Sequence, residues 1–365
     1  MYRVALLLVA SLIFSIGLVM IFSTSSAEVL DNDLAKSMHH ALLRQIIYAV
    51  TGVAVAVGFW KLGYRRFLRW SPLFFKLSIL LLILTLIPGL GKEVNGSRRW
   101  LGVAGFTFQP SELAKYCIPA FFVYRISLFQ EKRITFLDFL KLMGMIAIPI
   151  LLILVEPNNG TAAVIGMTVL ALCLITCIPF KFWALPLCIF VVVGGVFASQ
   201  LPYVTARLKV YLHPETDLQG KGHQPYQAKI ASGSGKLLGK GPGNSWQKLS
   251  YLPEAQNDYI AAIYAEEFGF LGILTLIILY MGIAYLGFSI AMTAPDASGV
   301  YYASAVSFLI CFQAFLNLGV VSGLLPSTGL NLPLFSQGGT SLIANILGIG
   351  ILLNIAATGE AAHEM

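Results

Sequence analysis

The chain has 365 residues, of which 57% are hydrophobic and only 11% charged, against about 25% charged in ordinary soluble domains. That composition excludes a water-soluble globular domain. A formal charge of +7 would suit nucleic acid if it lay on one face, but in so apolar a chain positive charge first reports topology, and nucleic acid is not an expected partner.

Apolar runs fall near residues 4–22, 41–60, 73–90, 113–129, 139–155, 160–179, 182–199, 259–292, 300–325 and 340–357, and a span needs about 20 such residues. They predict an all-α polytopic membrane protein of about ten transmembrane helices. It would form one membrane domain over 1–365, with a long loop at about 200–257 between the seventh and eighth spans. The first run, although preceded by Arg3 and followed by Ser23-Thr24-Ser25-Ser26-Ala27, reads as a span and not as a cleaved signal peptide. The run at 259–292 is too long for a straight span and is expected to tilt or to extend beyond the bilayer. Ten spans put both termini on one side. In short loops that side holds eleven Lys and Arg residues against six on the other, which predicts cytoplasmic termini. Residues 23–40, 91–112, 156–159, 200–257 and 326–339 then face outward. The five cysteines lie in or beside apolar runs and read as small packing residues; Cys173 and Cys177 share a helix face without a His or acidic partner for a metal.

Ionisable residues at the margin of a span are costly, and here they gather at the outward ends. Arg44 opens the second run. Glu112 and Lys115 follow Gln109-Pro110-Ser111 and share a helix face at i, i+3, which reads equally as a structural ion pair and as part of a site. Arg98 and Arg99, between Asn95-Gly96-Ser97 and Trp100, suit a phosphate or pyrophosphate ligand, because guanidinium groups bind such oxygens bidentately; a grip on ordinary lipid headgroups is the competing reading. Glu156-Pro157 ends the fifth run, and Asn158-Asn159-Gly160-Thr161 begins the sixth. A glycine-rich stretch from Gly233 to Gly243 leads through Asn244-Ser245-Trp246-Gln247-Lys248 to Leu252-Pro253-Glu254-Ala255 and Asp258. Asp258 is expected in the first turn of the eighth span, where a carboxylate also serves as a plain helix cap. The stretch from Ser327 to Ser341, which follows Asn317, is dense in Gly, Pro, Ser and Thr. It predicts irregular backbone, which membranes tolerate only where it lines a cavity or is buried by protein. The sequence contains no nucleotide-binding, zinc or serine-hydrolase motif.

Six blocks, in order, carry a resemblance that covers essentially the whole chain. They are Asn95-Gly96-Ser97-Arg98-Arg99-Trp100-Leu101, Gln109-Pro110-Ser111-Glu112-Leu113-Ala114-Lys115, Pro157 with Gly160-Thr161, Lys229-Ile230-Ala231-Ser232-Gly233-Ser234-Gly235, Leu252-Pro253-Glu254-Ala255 with Asp258, and Leu325-Pro326-Ser327-Thr328-Gly329 with Ser336-Gln337-Gly338-Gly339. Together they resemble the SEDS family, the FtsW, RodA and SpoVE polymerases of bacterial cell-wall synthesis. Gly243-Asn244-Ser245 with Tyr251-Leu252-Pro253-Glu254-Ala255 is more similar to the division branch, FtsW, than to the elongation branch.

The resemblance implies a ten-helix bundle in the bacterial cytoplasmic (inner) membrane that polymerises lipid II into glycan strands at the outer face. It matches Asp258 to the acidic residue regarded as catalytic, here a general base. It matches Arg44, Arg98, Arg99, Glu112 and Lys115 to polar residues around an outer cavity that binds substrate, and Asn158 and Lys248 are expected to join them there. Where many members carry an acid after the proline of the third block, this chain has Asn158, and Glu156 is the candidate to compensate. No cofactor is certain, a divalent cation such as Mg or Mn being the open option. The implied partners are lipid II and a class B penicillin-binding protein, an FtsI-like transpeptidase, for whose helix Phe308, Phe312 and Phe315 offer one stripe of the ninth span. A lipid II flippase and a non-catalytic scaffold for the transpeptidase are the alternatives.

Overall fold

A computed structural model describes residues 2–32, 40–94, 97–103, 106–129, 134–200, 202–212, 222–249, 252 and 255–363. Asn95, Gly96, Pro253 and Glu254 of the motifs above, with Lys36, Lys132, Arg133, Lys221 and Tyr251, lie outside them. In chain order the helices are α1 (Tyr2–Asn32), α2 (His40–Leu62), α3 (Tyr64–Leu86), α4 (Pro110–Ser127), α5 (Phe136–Val155), α6 (Asn159–Ile175), α7 (Phe180–Gln200), α8 (Pro202–Leu212), α9 (His223–Ser234), α10 (Ile260–Met292), α11 (Ala297–Val321) and α12 (Gly339–His363). All but α8 and α9 correspond to the ten expected runs. Among the described residues seven of them, α1 to α3, α5 and α10 to α12, are long and apolar enough to cross a membrane. By contrast α4 carries Glu112, Lys115 and Arg125, and α6 has only 17 residues.

Two features depart from the sequence reading. Residues 91–108 form an antiparallel meander, β1 (Gly91–Val94), β2 (Ser97–Val103) and β3 (Phe106–Phe108), with Leu101 opposite both Gly91 and Phe108. The fold is therefore helical with one small sheet packed on the ends of α3 and α4. The run at 259–292 is broken at Gly269, whose φ of 66° and ψ of −161° are not helical. Ile260 to Glu267 are buried, whereas Phe270 and Leu271, directly after the break, are exposed. The excess length is thus a separate, protein-enclosed helical piece joined to a span.

Burial sorts the spans into layers. Of the most apolar 18-residue window, 67% is buried in α11 and in α12 but only 22–33% in the other candidate spans. The last two helices form the centre, with α2 along α12, α10 along α11 and α3 along α4. The centre is also where polar side chains sit inside spans. Gln313 and Asn317 of α11 and Asn345 of α12 are buried, and Tyr116 Oη of α4 donates to Asn345 Oδ1 at 2.7 Å. Polar groups buried in low dielectric must be paired, and these pairs fix the register of α4, α11 and α12. The expected aromatic stripe on α11 exists. Phe308 and Phe312 stack at 5.3 Å, Phe312 and Phe315 at 6.2 Å, and Phe315 is exposed. All five thiols are free.

Candidate active site

The loop that joins α11 to α12, residues 322–338, collects the ends of the surrounding helices. Its irregular backbone cannot satisfy itself, so buried side chains from outside do so. Gln45 of α2 donates through Nε2 to Ser336 O at 3.2 Å and accepts from Gly338 N at 3.4 Å. Gln313 Nε2 donates to Asn331 O at 2.8 Å. Asn317 Nδ2 donates to Leu330 O at 2.7 Å. Within the loop, Asn331 Nδ2 reaches Gln337 O at 3.0 Å, and Leu332 N reaches Ser336 Oγ at 2.8 Å.

Asp258 stands at this loop. It lies in the turn before α10, whose N-cap is Tyr259, so it precedes the helix instead of occupying its first turn. Asn317 Nδ2 also donates to Asp258 O at 2.8 Å, and Gln337 N donates to Gln256 O at 2.9 Å. One buried amide therefore ties the Asp258 backbone to Leu330. The half-buried carboxylate faces Gly329, where φ is +70° and a Cβ would stand 3.6 Å from Asp258 Oδ2. A side chain at 329 would be strained in backbone and would crowd that acid.

The α4 pair connects to the same loop. Lys115, with a fully buried side chain, meets Glu112 Oε2 at 2.7 Å and donates to Gln313 Oε1 at 2.6 Å. Gln313 then passes the network on to Asn331. Pro110 supplies the first turn of α4 without an amide to satisfy, and Glu112 sits in that turn, where the helix dipole favours an anion. Next to it, Ser111 Oγ accepts from Gln109 Nε2 and from Asn158 Nδ2, both at 3.2 Å. Asn158, 2% exposed, caps α6 by accepting from Thr161 N. A Cβ on neighbouring Gly160 would come within 2.7 Å of Thr328 O, so α6 abuts the loop directly.

The cations separate into two kinds. Arg99 donates from Nε to Glu156 O at 2.9 Å and from Nη2 to Pro157 O at 2.7 Å, so it pins the sheet to the α5–α6 junction. Lys248 pairs with Glu267 Oε1 at 2.8 Å and is bound inside the 235–271 region. Arg98 forms an exposed pair with Glu93 at 3.1 Å. Arg44 is exposed on the turn of α2 that carries Gln45. Glu156 is buried, its Oε1 accepting from Thr85 Oγ1 and its Oε2 without a donor. Burial pushes this carboxyl up to about 7, against the opposing pull of the Thr85 hydroxyl and the Arg99 charge. Among the described residues no three His, Cys, Asp or Glu side chains come together as a metal cluster.

Of the residues that sequence reasoning singled out, Asp258 stands at 322–338, the Glu112–Lys115 pair reaches that loop through Gln313, and Asn158 contacts Ser111 and caps α6 beside it. That reasoning missed Gln45 and Gln313 as organisers of the loop. The available signal was the presence of long amides inside apolar runs, where each must find a partner.

The fold and site define a polytopic membrane protein with a polar centre gathered at one end of its helices by the α11–α12 loop. Residues 3–360 match the FtsW/RodA/SpoVE family, described as cell cycle proteins, and the chain belongs to that family. It is 36% identical to the probable peptidoglycan glycosyltransferase FtsW of Trichlorobacter lovleyi over 98% of this chain and 93% of that protein. It is also 36% identical to the stage V sporulation protein E of Bacillus subtilis over 96% of each. Among solved structures, RodA of Thermus thermophilus superposes with a TM-score of 0.69 at 26% identity, covering 96% of this chain and 95% of that one. A chain from a study of the structural coordination of polymerization and crosslinking by a peptidoglycan synthase complex superposes with a TM-score of 0.76 at 26% identity, covering 96% of each.

Proposed function

We propose that this protein is a peptidoglycan glycosyltransferase that polymerises lipid II at the outer face of the cytoplasmic membrane, with Asp258 as general base. The observation that carries the reading is that Asp258 and, through Gln313, the Glu112–Lys115 pair meet at one irregular loop, in a chain whose relatives bear the name of a peptidoglycan glycosyltransferase. An undecaprenyl pyrophosphate donor already has a good leaving group. The protein must therefore take the proton of the incoming GlcNAc 4-hydroxyl and stabilise pyrophosphate charge. Asp258 accepts that proton as O4 bonds to the donor sugar carbon and the bond to pyrophosphate breaks on the opposite face, giving inversion without a covalent enzyme intermediate. The buried Lys115, held by Glu112 and Gln313, contributes positive potential. Arg44, which is exposed, and Arg98, in an exposed pair with Glu93, are the pyrophosphate contacts; Arg99, Asn158 and Lys248 hold the frame that surrounds the substrate. A divalent cation, Mg or Mn, fits a site with a single acid and a pyrophosphate, since such ions are held largely by substrate phosphates. It would supply charge neutralisation on the leaving group.

The stacked and partly exposed ring stripe Phe308, Phe312 and Phe315 supports a docking face for the single helix of a class B penicillin-binding protein. Cytoplasmic termini follow from the charge count of the short loops. The test is a purified-protein assay with labelled lipid II in the absence of any transpeptidase. Glycan strands are expected; substrate translocation without strands would favour the flippase, and neither product would favour the scaffold. Photocrosslinking from position 312, with Trp183 on α7 as the comparison, checks the docking face. An adduct to the transpeptidase at 183 but not at 312 rejects the stripe.

A further inference from the structure

Glu266 and Glu267 lie inside an apolar run, where ionisable groups are expensive, and both are buried, at 0% and 1% exposure. The glycine-rich strap 235–249 surrounds them. Glu266 Oε1 accepts from Lys240 Nζ at 2.5 Å and Trp246 N at 3.3 Å, and its Oε2 from Ser245 Oγ at 2.6 Å and Gln247 N at 3.3 Å. Lys248 Nζ joins Glu267 to Gly243 O at 2.7 Å and to Ser23 Oγ of α1 at 3.0 Å. The backbones are laced together as well. Lys240 N and Gly241 N donate to Glu266 O and Glu267 O, while Phe270 N and Leu271 N donate to Lys236 O and Leu237 O. The strap thus satisfies the peptide groups on both sides of the break at Gly269. The fit is close, since a Cβ at Gly239 would stand 2.1 Å from Glu267 O.

The covalent chain from Lys240 to Glu266 is therefore a ring, closed by the Glu266 carboxylate together with the backbone bond from Lys240 N to Glu266 O, and Asp258 is one of its members. Inside the ring Leu252 N donates to Gln247 O at 3.0 Å, and Leu252 and Ala255 are buried. The far side is attached to the α11–α12 loop at Gln256 and Asp258. A stretch this rich in Gly and Pro has much freedom to lose, and an acid-base group must be held to within a fraction of an ångström.

We propose that Glu266 is a positioning residue for Asp258, closing the 240–266 ring and so holding the Asp258 carboxylate against Gly329. The proposal rests on the reading of Asp258 as the base. It is tested on the full-length protein in nanodiscs, by the rate of glycan polymerisation and by hydrogen exchange of the 240–258 amides. Glu266→Gln is expected to lower kcat about 10- to 100-fold, to leave KM for lipid II within about twofold, and to speed exchange across 240–258 but not in α12. Ser245→Ala removes one donor from outside the helix, which keeps the test open if Glu266→Gln folds poorly; kcat should fall about 3- to 10-fold. Lys240→Arg keeps the charge-assisted bond and should stay near wild type. Wild-type kcat in Glu266→Gln beside an inactive Asp258→Asn overturns the proposal alone, as does unchanged exchange in 240–258. An active Asp258→Asn overturns the base assignment, and the proposal with it.

Discussion

Two of the protein's buried polar regions are completed to different degrees. Around Glu266 every carboxylate oxygen has donors, two to each, and among the described residues the one acceptor left over in the strap is Gln247 Oε1. Around the α11–α12 loop, acceptors are left over: Asn317 Oδ1 and Gln337 Oε1 have no donor among the described residues. A network closed on itself rigidifies and excludes, whereas buried acceptors with spare capacity mark where outside donors are accommodated. The first region behaves as framework and the second as a place for chemistry. Substitutions in the two should therefore fail in different ways.

The largest effect is expected at the reacting group. Asp258→Asn should reduce polymerisation by at least about 100-fold while thermal unfolding of the purified protein stays at wild type; a parallel loss of stability would make Asp258 framework. Next, Glu112→Ala leaves Lys115 buried without its counter-charge and should cost about 3–5 kcal/mol of stability, read as a fall in Tm. Adding Lys115→Ala should restore Tm but not activity, and full activity in the double variant would reduce the pair to a structural role. Glu156 gives a pH signature. Its carboxyl rests at about 7 in the folded protein against 4.5 ordinarily, so the neutral form is the one the fold favours. Stability should be full below about pH 4.5 and decline by an amount on the order of 3 kcal/mol as pH rises through 7. Glu156→Gln should flatten that dependence in a Tm series from pH 5 to 8. Asn317→Ala, which frees Asp258 O and Leu330 O, should cost about 1–3 kcal/mol and lower kcat more than it raises KM. The smallest effect belongs to Arg98→Ala, whose exposed pair with Glu93 contributes less than about 1 kcal/mol. Its Tm should not move, so a raised KM for lipid II would isolate a role in substrate binding.

Hydropathy made the spans legible, because a helix facing lipid must be apolar along a whole bilayer thickness. It misjudged α10, since an enclosed helical piece and a span are equally apolar when joined end to end. The sheet at 91–108 was read only as a loop; its short strands are set by pairing across sequence and by packing on α3, which no local pattern announces. Asp258, Glu112, Lys115 and Asn158 could be picked out because their neighbours form recognisable blocks. In sequence Arg99 reads as a phosphate ligand and Lys248 as a substrate contact of the outer cavity, yet their partners are the carbonyls of 156 and 157 and, for Lys248, Glu267, 19 residues on. Such pairings have no helical or strand spacing to reveal them. The same holds for Lys240 and Glu266.

Gly269 also divides the mechanical duties of α10. Residues 270–292 measure roughly 34 Å at a rise of about 1.5 Å per residue, enough by themselves to match a hydrocarbon core of about 30 Å. Residues 260–267 are enclosed by protein and strapped to 235–249. When lipid acyl chains lengthen or shorten, the mismatch is taken up by tilt of the lipid-facing piece, beyond the splinted joint. The acid that precedes α10 lies on the enclosed side of that joint, whereas Tyr280 Oη of the longer piece donates to Pro333 O at 2.6 Å, so the α11–α12 loop is the part of the polar centre that membrane thickness reaches.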